Sequence, residues 1–141
     1  MKPKSAFMLL GVGAISLAFG AGYALGQVRA PAQSKGVNAM EIGTFDLDGE
    51  IDNNSVAGRK LRVRRVTIEP GGATQLHNHV GRPEVTVVLQ GAYILHQEGS
   101  PDATRNTGDS GASGNNTRIG HWAENRGTVP VVFVAVDIVP K

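Results

Sequence analysis

The chain begins with one long apolar stretch and continues with short segments in which apolar and polar residues alternate. Residues 5–26 contain no charged side chain, whereas Lys2 and Lys4 precede them. Beyond residue 40 the alternation has the period of two that is typical of strands, and no stretch shows a convincing 3.6-residue period. The pattern predicts an N-terminal hydrophobic helix followed by an all-β domain.

Six strands are predicted, with turn-forming residues between them, over residues 41–47, 60–68, 73–79, 85–90, 92–96 and 131–138. The predicted turns lie at residues 70–72, at 81–83 and at Gly91, and the tract 106–117 has a composition typical of a mobile loop. Short strands separated by turns at this spacing predict a sandwich or a barrel. The strands at 85–90 and 131–138 alternate or run apolar, as barrel walls do, and their apolar residues are interpreted as core: Val85, Val87, Leu89, Val132, Val134 and Val136.

The domain organisation follows from the same pattern. Residues 1–26 are predicted to be a signal anchor or a signal peptide, residues 27–40 a flexible linker, and residues 41–141 the folded domain. The uncharged stretch is long enough to span a bilayer, for which about 20 apolar residues suffice, and this favours a retained anchor. Small residues at Ala24 and Gly26, or at Ala30 and Ala32, would also suit cleavage, so both fates remain open.

The lysines at the N-terminus indicate the orientation of the chain in the membrane. Positively charged flanks stay on the cytoplasmic side, so the domain is expected on the far, periplasmic side, either anchored or secreted. The net charge of +2 and the isoelectric point near 9.2 depend partly on Lys2, Lys4 and Arg29. Without these three the chain is close to neutral, and no nucleic-acid partner is expected.

One basic cluster within the domain, residues 59–65, alternates with apolar residues. Arg62 and Arg64 stand on either side of Val63, and the cluster is interpreted as the solvated face of a strand. The sequence contains no cysteine, which excludes disulfides, thiolate metal ligands and a cysteine nucleophile. Any metal would therefore be bound by nitrogen and oxygen atoms.

Candidate ligands of this kind occur together in one segment. In a strand, side chains two residues apart point to the same face, so Gln75, His77 and His79 are expected to face one cavity. A tight turn at residues 81–83 would bring Glu84 back beside the two histidines. Two imidazoles and a carboxylate predict a metal site.

The spacing Gly71-x5-His77-x-His79-x4-Glu84-x6-Gly91 resembles the first motif of the cupin superfamily at every position. Downstream, Gly108 and the pair His121-x3-Asn125 resemble the second motif, which departs from the family pattern at Asn116 and Arg118, where a Pro-x-Gly turn is usual. The likeness extends over residues 60–138. It implies a double-stranded β-helix in which His77, His79, Glu84 and His121 are the ligands of one metal ion.

The resemblance also implies a function class. Three imidazoles and one carboxylate suit Fe, Mn, Ni, Cu or Zn, and the ligand set does not select among them. The leading interpretation is a metal-dependent enzyme acting on a small organic molecule, with oxygenase-like or lyase/isomerase-like chemistry. The alternative is a non-catalytic module that binds a metal or a small ligand.

Other residues near the motifs receive narrower interpretations. Gln75 and Arg82 are candidate substrate contacts; capping of backbone groups is an equal alternative for Gln75, and a solvent-exposed turn position is favoured for Arg82. Trp122 is expected to pack outside the pocket and His96 to be structural or exposed. Since cupin barrels commonly pair through edge strands, a homodimer is expected.

Overall fold

The computed structural model describes residues 28–51, 54–112 and 117–141. The predicted signal segment at residues 1–26 lies outside these residues. The described chain consists of strands and one 3₁₀ turn, Asn54–Val56, and it contains no helix long and apolar enough to cross a membrane. The strands are β1 Lys35–Asp46, β2 Arg59–Ala73, β3 Glu84–Gln90, β4 Ala92–Gln97, β5 Ala103–Asn106, β6 Ser110–Ala112, β7 His121–Glu124 and β8 Val131–Pro140.

Strand β2 organises a barrel-like antiparallel sheet. It pairs with β1 from Lys60 to Ile68 and again at Ala73, while its first part, from Arg59 to Ile68, pairs with β8 on the other edge. At its end, Ala73 pairs with Glu124 of β7. The order of strands is β5-β4-β7-β2-β8-β3-β6, with β1 paired to β2 off this path, so β2 is the central strand of the sheet. This confirms the predicted all-β barrel.

The predicted turn at residues 70–72 is wrong, because β2 passes through it. Gly71 has a φ of 70°, and a Cβ on Gly72 would lie 2.8 Å from the carbonyl oxygens of Lys35 and Glu69. The pairing with β1 shifts register here, between Lys35 and Val37. The two glycines therefore form a bulge that bends the strand without ending it.

The first strand begins at Lys35, inside the stretch predicted as linker. Val37 and Ala39, two residues apart on this strand, both line the cavity inside the barrel. Their backbones pair with Ile68 and Val66 of β2. The strand predicted over residues 73–79 is replaced by an extended segment with one isolated bridge, His77 to His121. The predicted loop 106–117 contains β6, while residues 113–116 lie outside the described chain.

The core lies between the two halves of the barrel and includes Val66, Ile68, Val88, Tyr93, Ala123, Val131, Phe133 and Ala135. The rings of Tyr93 and Phe133 lie 5.7 Å apart. Val85, Val87 and Leu89 are not part of this core, contrary to the sequence interpretation, because their side chains are 40–53% exposed. On β3 the inward positions are taken by Glu84, Thr86 and Val88 instead.

Candidate metal centre

Three histidines from two neighbouring segments meet at one end of the barrel. His77 and His79 lie on the extended segment after β2, and His121 begins β7. The backbones of His77 and His121 exchange two hydrogen bonds, of 3.0 and 2.9 Å, and His79 N–H donates to the carbonyl of Thr117. These bonds place one candidate nitrogen of each ring within 4.8 Å of the other two.

Hydrogen bonds fix the orientation of two of the rings. Nδ1 of His77 lies 2.9 Å from the carbonyl oxygen of Gln75, and Nδ1 of His121 lies 3.2 Å from that of Ile119. A carbonyl only accepts, so in each neutral ring Nδ1 carries the hydrogen and Nε2 keeps its lone pair. Both Nε2 atoms are thereby available as metal ligands.

The separation of the nitrogens fits a shared ion. Nε2 of His79 and Nε2 of His121 are 3.2 Å apart. Two nitrogens that bind one ion at about 2.0–2.1 Å, with an angle of about 90–110° between them, lie about 2.8–3.4 Å from each other. The residues present therefore fit a transition-metal ion at this position.

The protonation state of the rings also suits metal binding. Burial, together with the positive charge of Arg82 and the neighbouring histidines, lowers the pKa of His79 to about 4. Burial likewise lowers the pKa of His121. Both rings are therefore neutral at physiological pH, which is the form that coordinates metals.

Glu84 opens β3 beside the histidines. Its Oε1 lies 3.8 Å from Nε2 of His79, while its Oε2 accepts hydrogen bonds from Arg64 at 2.5 Å and from Arg82 at 3.0 Å. Burial raises the pKa of Glu84, and the two guanidinium groups partly offset this effect. The carboxylate thus contacts the edge of the histidine cluster with one oxygen and the arginines with the other.

The arginines belong to a buried network around Asp137 of β8. The side chain of Asp137 is buried and accepts hydrogen bonds from Arg62, Arg64 and Arg82, at distances of 2.6–3.1 Å. Burial alone would raise the pKa of Asp137, but these guanidinium groups hold it below its ordinary value. The interpretation of residues 59–65 as a solvated face is thus wrong for Arg62 and Arg64, which point inward because β2 places Leu61 and Val63 outward.

The histidines and the arginine network line one cavity of about 540 Å³ inside the barrel. Its charged lining residues are Arg64, Arg82, Glu84 and Arg105, and Gln75 lies at the same end as the histidines. Tyr93, Leu95 and Phe133 contribute apolar surface further in. The cavity is large enough for a small organic molecule, and its lining combines the histidine cluster, charged side chains and apolar surface.

Two residues near the second motif lie outside this cavity. Trp122 stacks on His96, with ring centroids 4.6 Å apart, as expected for a side chain on the opposite face of its strand. His96 is buried, and its two ring nitrogens contact Asp102 and Glu124 at 2.8 and 3.0 Å. This confirms a structural position for His96. Arg105 also lines the cavity, and no motif or spacing in the sequence indicates this position.

The family model described as a cupin domain matches residues 64–137. A cupin domain from Bordetella pertussis is 24% identical, with 80% of this chain and 99% of that chain covered and a TM-score of 0.52. The cupin domain of an XRE family transcriptional regulator from Enterobacter cloacae is 16% identical, with 76% and 100% covered and a TM-score of 0.53.

A third solved structure is a putative sugar phosphate isomerase from Acidithiobacillus ferrooxidans, which is 25% identical, with a TM-score of 0.51. The alignment covers 56% of this chain and only half of that protein. No curated protein matches the chain.

Proposed function

Given that the chain belongs to the cupin family, we propose that it is a metal-dependent enzyme that converts a small organic molecule inside the barrel. The observation that carries this proposal is the cluster of His77, His79 and His121, whose nitrogens have the orientation and spacing of metal ligands and open onto a cavity of about 540 Å³. A cavity of this size suits a small-molecule substrate.

The proposed ligands are His77, His79 and His121 through their Nε2 atoms, with Glu84 as the fourth. Oε1 of Glu84 is 3.8 Å from Nε2 of His79, so a small movement of the side chain would bring this oxygen to a metal ion held by the histidines. Its other oxygen is bound by Arg64 and Arg82, which would orient the carboxylate. Iron, manganese, nickel, copper and zinc all suit this mixture of nitrogen and oxygen.

A metal bound here would supply a Lewis acid that polarises an oxygen of the substrate, or, if it is redox-active, a centre for oxygen chemistry. The residues of the chain would do the rest. Gln75 and Arg82 line the same end of the cavity and are proposed to orient the substrate by hydrogen bonds. The similarity to a putative sugar phosphate isomerase favours lyase- or isomerase-like chemistry over oxygenase-like chemistry.

Elemental analysis of the full-length protein, purified without added metal, tests the ligand set. We expect about one metal ion per chain in the wild type and its loss in His79→Ala and His121→Ala, because removal of a ligand leaves an incomplete coordination shell. Asn78→Ala is the matched control, since Asn78 lies between the two histidines and is exposed. Retention of metal in both histidine variants would contradict the proposed site.

Turnover separates the enzyme from the alternative binding module. The metal-loaded protein would be incubated with hydroxy acids, enediols and sugar phosphates, and product formation would be compared with that of His79→Ala. Metal bound by the histidines without turnover of any of these compounds would favour a non-catalytic module that binds a metal or a small ligand.

We also propose that the domain lies outside the cytoplasm, held by the uncleaved N-terminal segment or released after cleavage. Support comes from the sequence alone: Lys2 and Lys4 precede 22 residues without a charge. In a bacterial host, a C-terminal epitope tag should be digested when protease is added to intact spheroplasts. A tag that survives until the cells are lysed would indicate a cytoplasmic domain.

A homodimer is proposed as the assembled form. Strands β2, β8 and β3 lie side by side, and their inward side chains line the cavity, so the alternate side chains point to the outside of the barrel. Val85 and Val87 are 50% and 40% exposed there. We call this surface the outer apolar face; its members are Leu61, Val63, Val85, Val87, Val134 and Val136. A second copy of the chain would cover it.

A further inference from the structure

Arg105 is the one arginine of the cavity lining that takes no part in the network around Glu84 and Asp137. It lies on β5, directly opposite Tyr93 of β4, and both residues line the cavity. Its Nε is buried and has no hydrogen-bond partner within the described chain, where Arg105 also forms no salt bridge. Arg105 as a whole is half-buried, and a buried N–H without an acceptor is unfavourable unless a ligand supplies the acceptor.

The charged residues that line the cavity indicate that this ligand carries a negative charge. Three of its four charged lining residues are arginines, and Glu84 is the only lining carboxylate among the described residues. Arg64 and Arg82 share Glu84 and Asp137 as acceptors, so their charge is largely compensated. The charge of Arg105 is not compensated in this way, and it would attract an oxyanion.

The position of Arg105 defines where that oxyanion would bind. On β4, Gln97 pairs with His121, whereas Tyr93 pairs with Arg105. These two levels are four residues apart along one strand, which corresponds to about 13 Å of backbone. Arg105 and the three imidazoles line the same cavity from these two levels. A small molecule can therefore contact both ends of the cavity.

The surface between the two ends is apolar. Leu95 and Ala123 pair with each other between the levels of His121 and Arg105, and both line the cavity together with Phe133. A ligand that fits this lining has polar groups at its two ends and a short hydrocarbon portion between them.

We propose that Arg105 binds the carboxylate or phosphate at one end of the substrate, while oxygens at the other end lie at the histidine cluster. This inference names the substrate class of the proposed enzyme. It rests on the proposed function only for the end of the substrate that lies at the histidine cluster. Arg105 is a specificity-determining residue in this arrangement. Its planar guanidinium suits bidentate recognition of a carboxylate or a phosphate.

Two ligands that differ only at the distal end provide the first test. In 2-hydroxyglutarate and 2-hydroxypentanoate the metal-binding hydroxy-acid group is the same, but only the first has a second carboxylate. With the metal-loaded full-length protein in a calorimeter, we expect 2-hydroxyglutarate to bind about 10–150-fold more tightly, the range for a hydrogen bond to a charged group. Equal dissociation constants would overturn the carboxylate assignment.

Variants of Arg105 assign that preference to one side chain. Arg105→Gln should bind both compounds equally and retain the metal content of the wild type. Arg65→Gln is the matched control, because Arg65 is an exposed arginine on the outer side of β2. Arg105→Lys, which keeps the charge but loses the planar fork, should retain part of the preference, and it decides the question if Arg105→Gln does not fold.

A measurement without metal separates this inference from the proposed function. Inorganic phosphate should bind to the metal-free protein, and Arg105→Gln should weaken that binding about 10-fold or more whereas Arg65→Gln should not. If this dependence is found in a protein that binds no metal, the metalloenzyme proposal fails and the anion site stands. If neither phosphate nor 2-hydroxyglutarate depends on Arg105, the anion site is refuted even when metal is bound.

Discussion

Two turn glycines, Gly91 and Gly99, have nearly the same backbone conformation but different surroundings, and the sequence alone does not distinguish them. Gly91, between β3 and β4, has a φ of 75°, and a Cβ there would lie 3.0 Å from the carbonyl oxygen of Pro130 and 3.2 Å from Cα of Val131. Gly99 has nearly the same φ, 74°, but a Cβ would meet no atom within 4 Å. Gly91 is therefore required by both backbone conformation and packing.

Alanine substitutions at the two positions separate these effects. Gly99→Ala should lower the free energy of unfolding by about 1–2 kcal/mol, the cost of a side chain in the left-handed region. Gly91→Ala should lower it further, since β8 must also move away from the new methyl group. Chemical denaturation of both variants measures the difference, and equal losses would show that β8 accommodates the methyl group without cost.

At the scale of elements, the histidine cluster depends on how β7 is attached to its neighbours. Asn125, directly after β7, is fully buried; its amide donates to the carbonyls of Ile68 and Val129, and its Oδ1 accepts from Gly127 N–H. Its backbone N–H donates to the carbonyl of Gly72, and its own carbonyl accepts from Gly71 N–H. This asparagine joins β2 and β7 beside the bulge and so sets the register that brings His121 to His77.

The same register explains why an irregular segment can hold two candidate ligands. Residues 74–79 form no continuous strand, yet Thr74 N–H donates to the carbonyl of Ala123, His77 pairs with His121 and His79 N–H donates to the carbonyl of Thr117. These hydrogen bonds hold the segment along β7 and the residues before it, and the extended backbone from His77 to His79 keeps the two imidazoles on one side.

On the scale of the whole molecule, the barrel has an apolar exterior on one side and a charged interior. The outer apolar face extends across β2, β8 and β3, whereas Arg62, Arg64, Glu84 and Asp137 point inward on the same strands. At the end of the strands that carries these four charged residues, this arrangement is the reverse of the usual pattern for a sheet with one solvated face, whereas Val66, Val88 and Phe133 form an apolar core further along the same inner face. It is consistent with a protein that covers its outer face by association and binds a polar ligand inside.

A charge placed on the outer apolar face tests the proposed homodimer. Val85→Lys should convert the dimer to a monomer, because pairing would bury an unpaired ammonium group at the centre of the contact. Val129→Lys introduces the same side chain at an equally exposed valine outside the face and should leave the dimer intact. Light scattering measures both masses, and a monomeric wild type would contradict the proposal.

The fold class and the candidate ligands can be predicted from the amino-acid sequence. The period of two and the turn residues require strands, and the spacing of His77, His79 and Glu84 is local enough for strand geometry to place them together. His121 is 42 residues from His79 and was assigned through resemblance to a family. The three imidazoles do meet in the structure.

Which face of each strand points into the barrel depends on contacts between distant strands. An alternating strand is compatible with either orientation, and the apolar side chains of β2 and β3 suggested the wrong one. The inward position of Arg62 and Arg64 becomes favourable only because β8 brings Asp137 beside them, more than 70 residues along the chain. Arg105 gained its place in the cavity in the same way, through the pairing of β5 with β4. Long-range charge pairing of this kind leaves no period in the sequence from which it could be predicted.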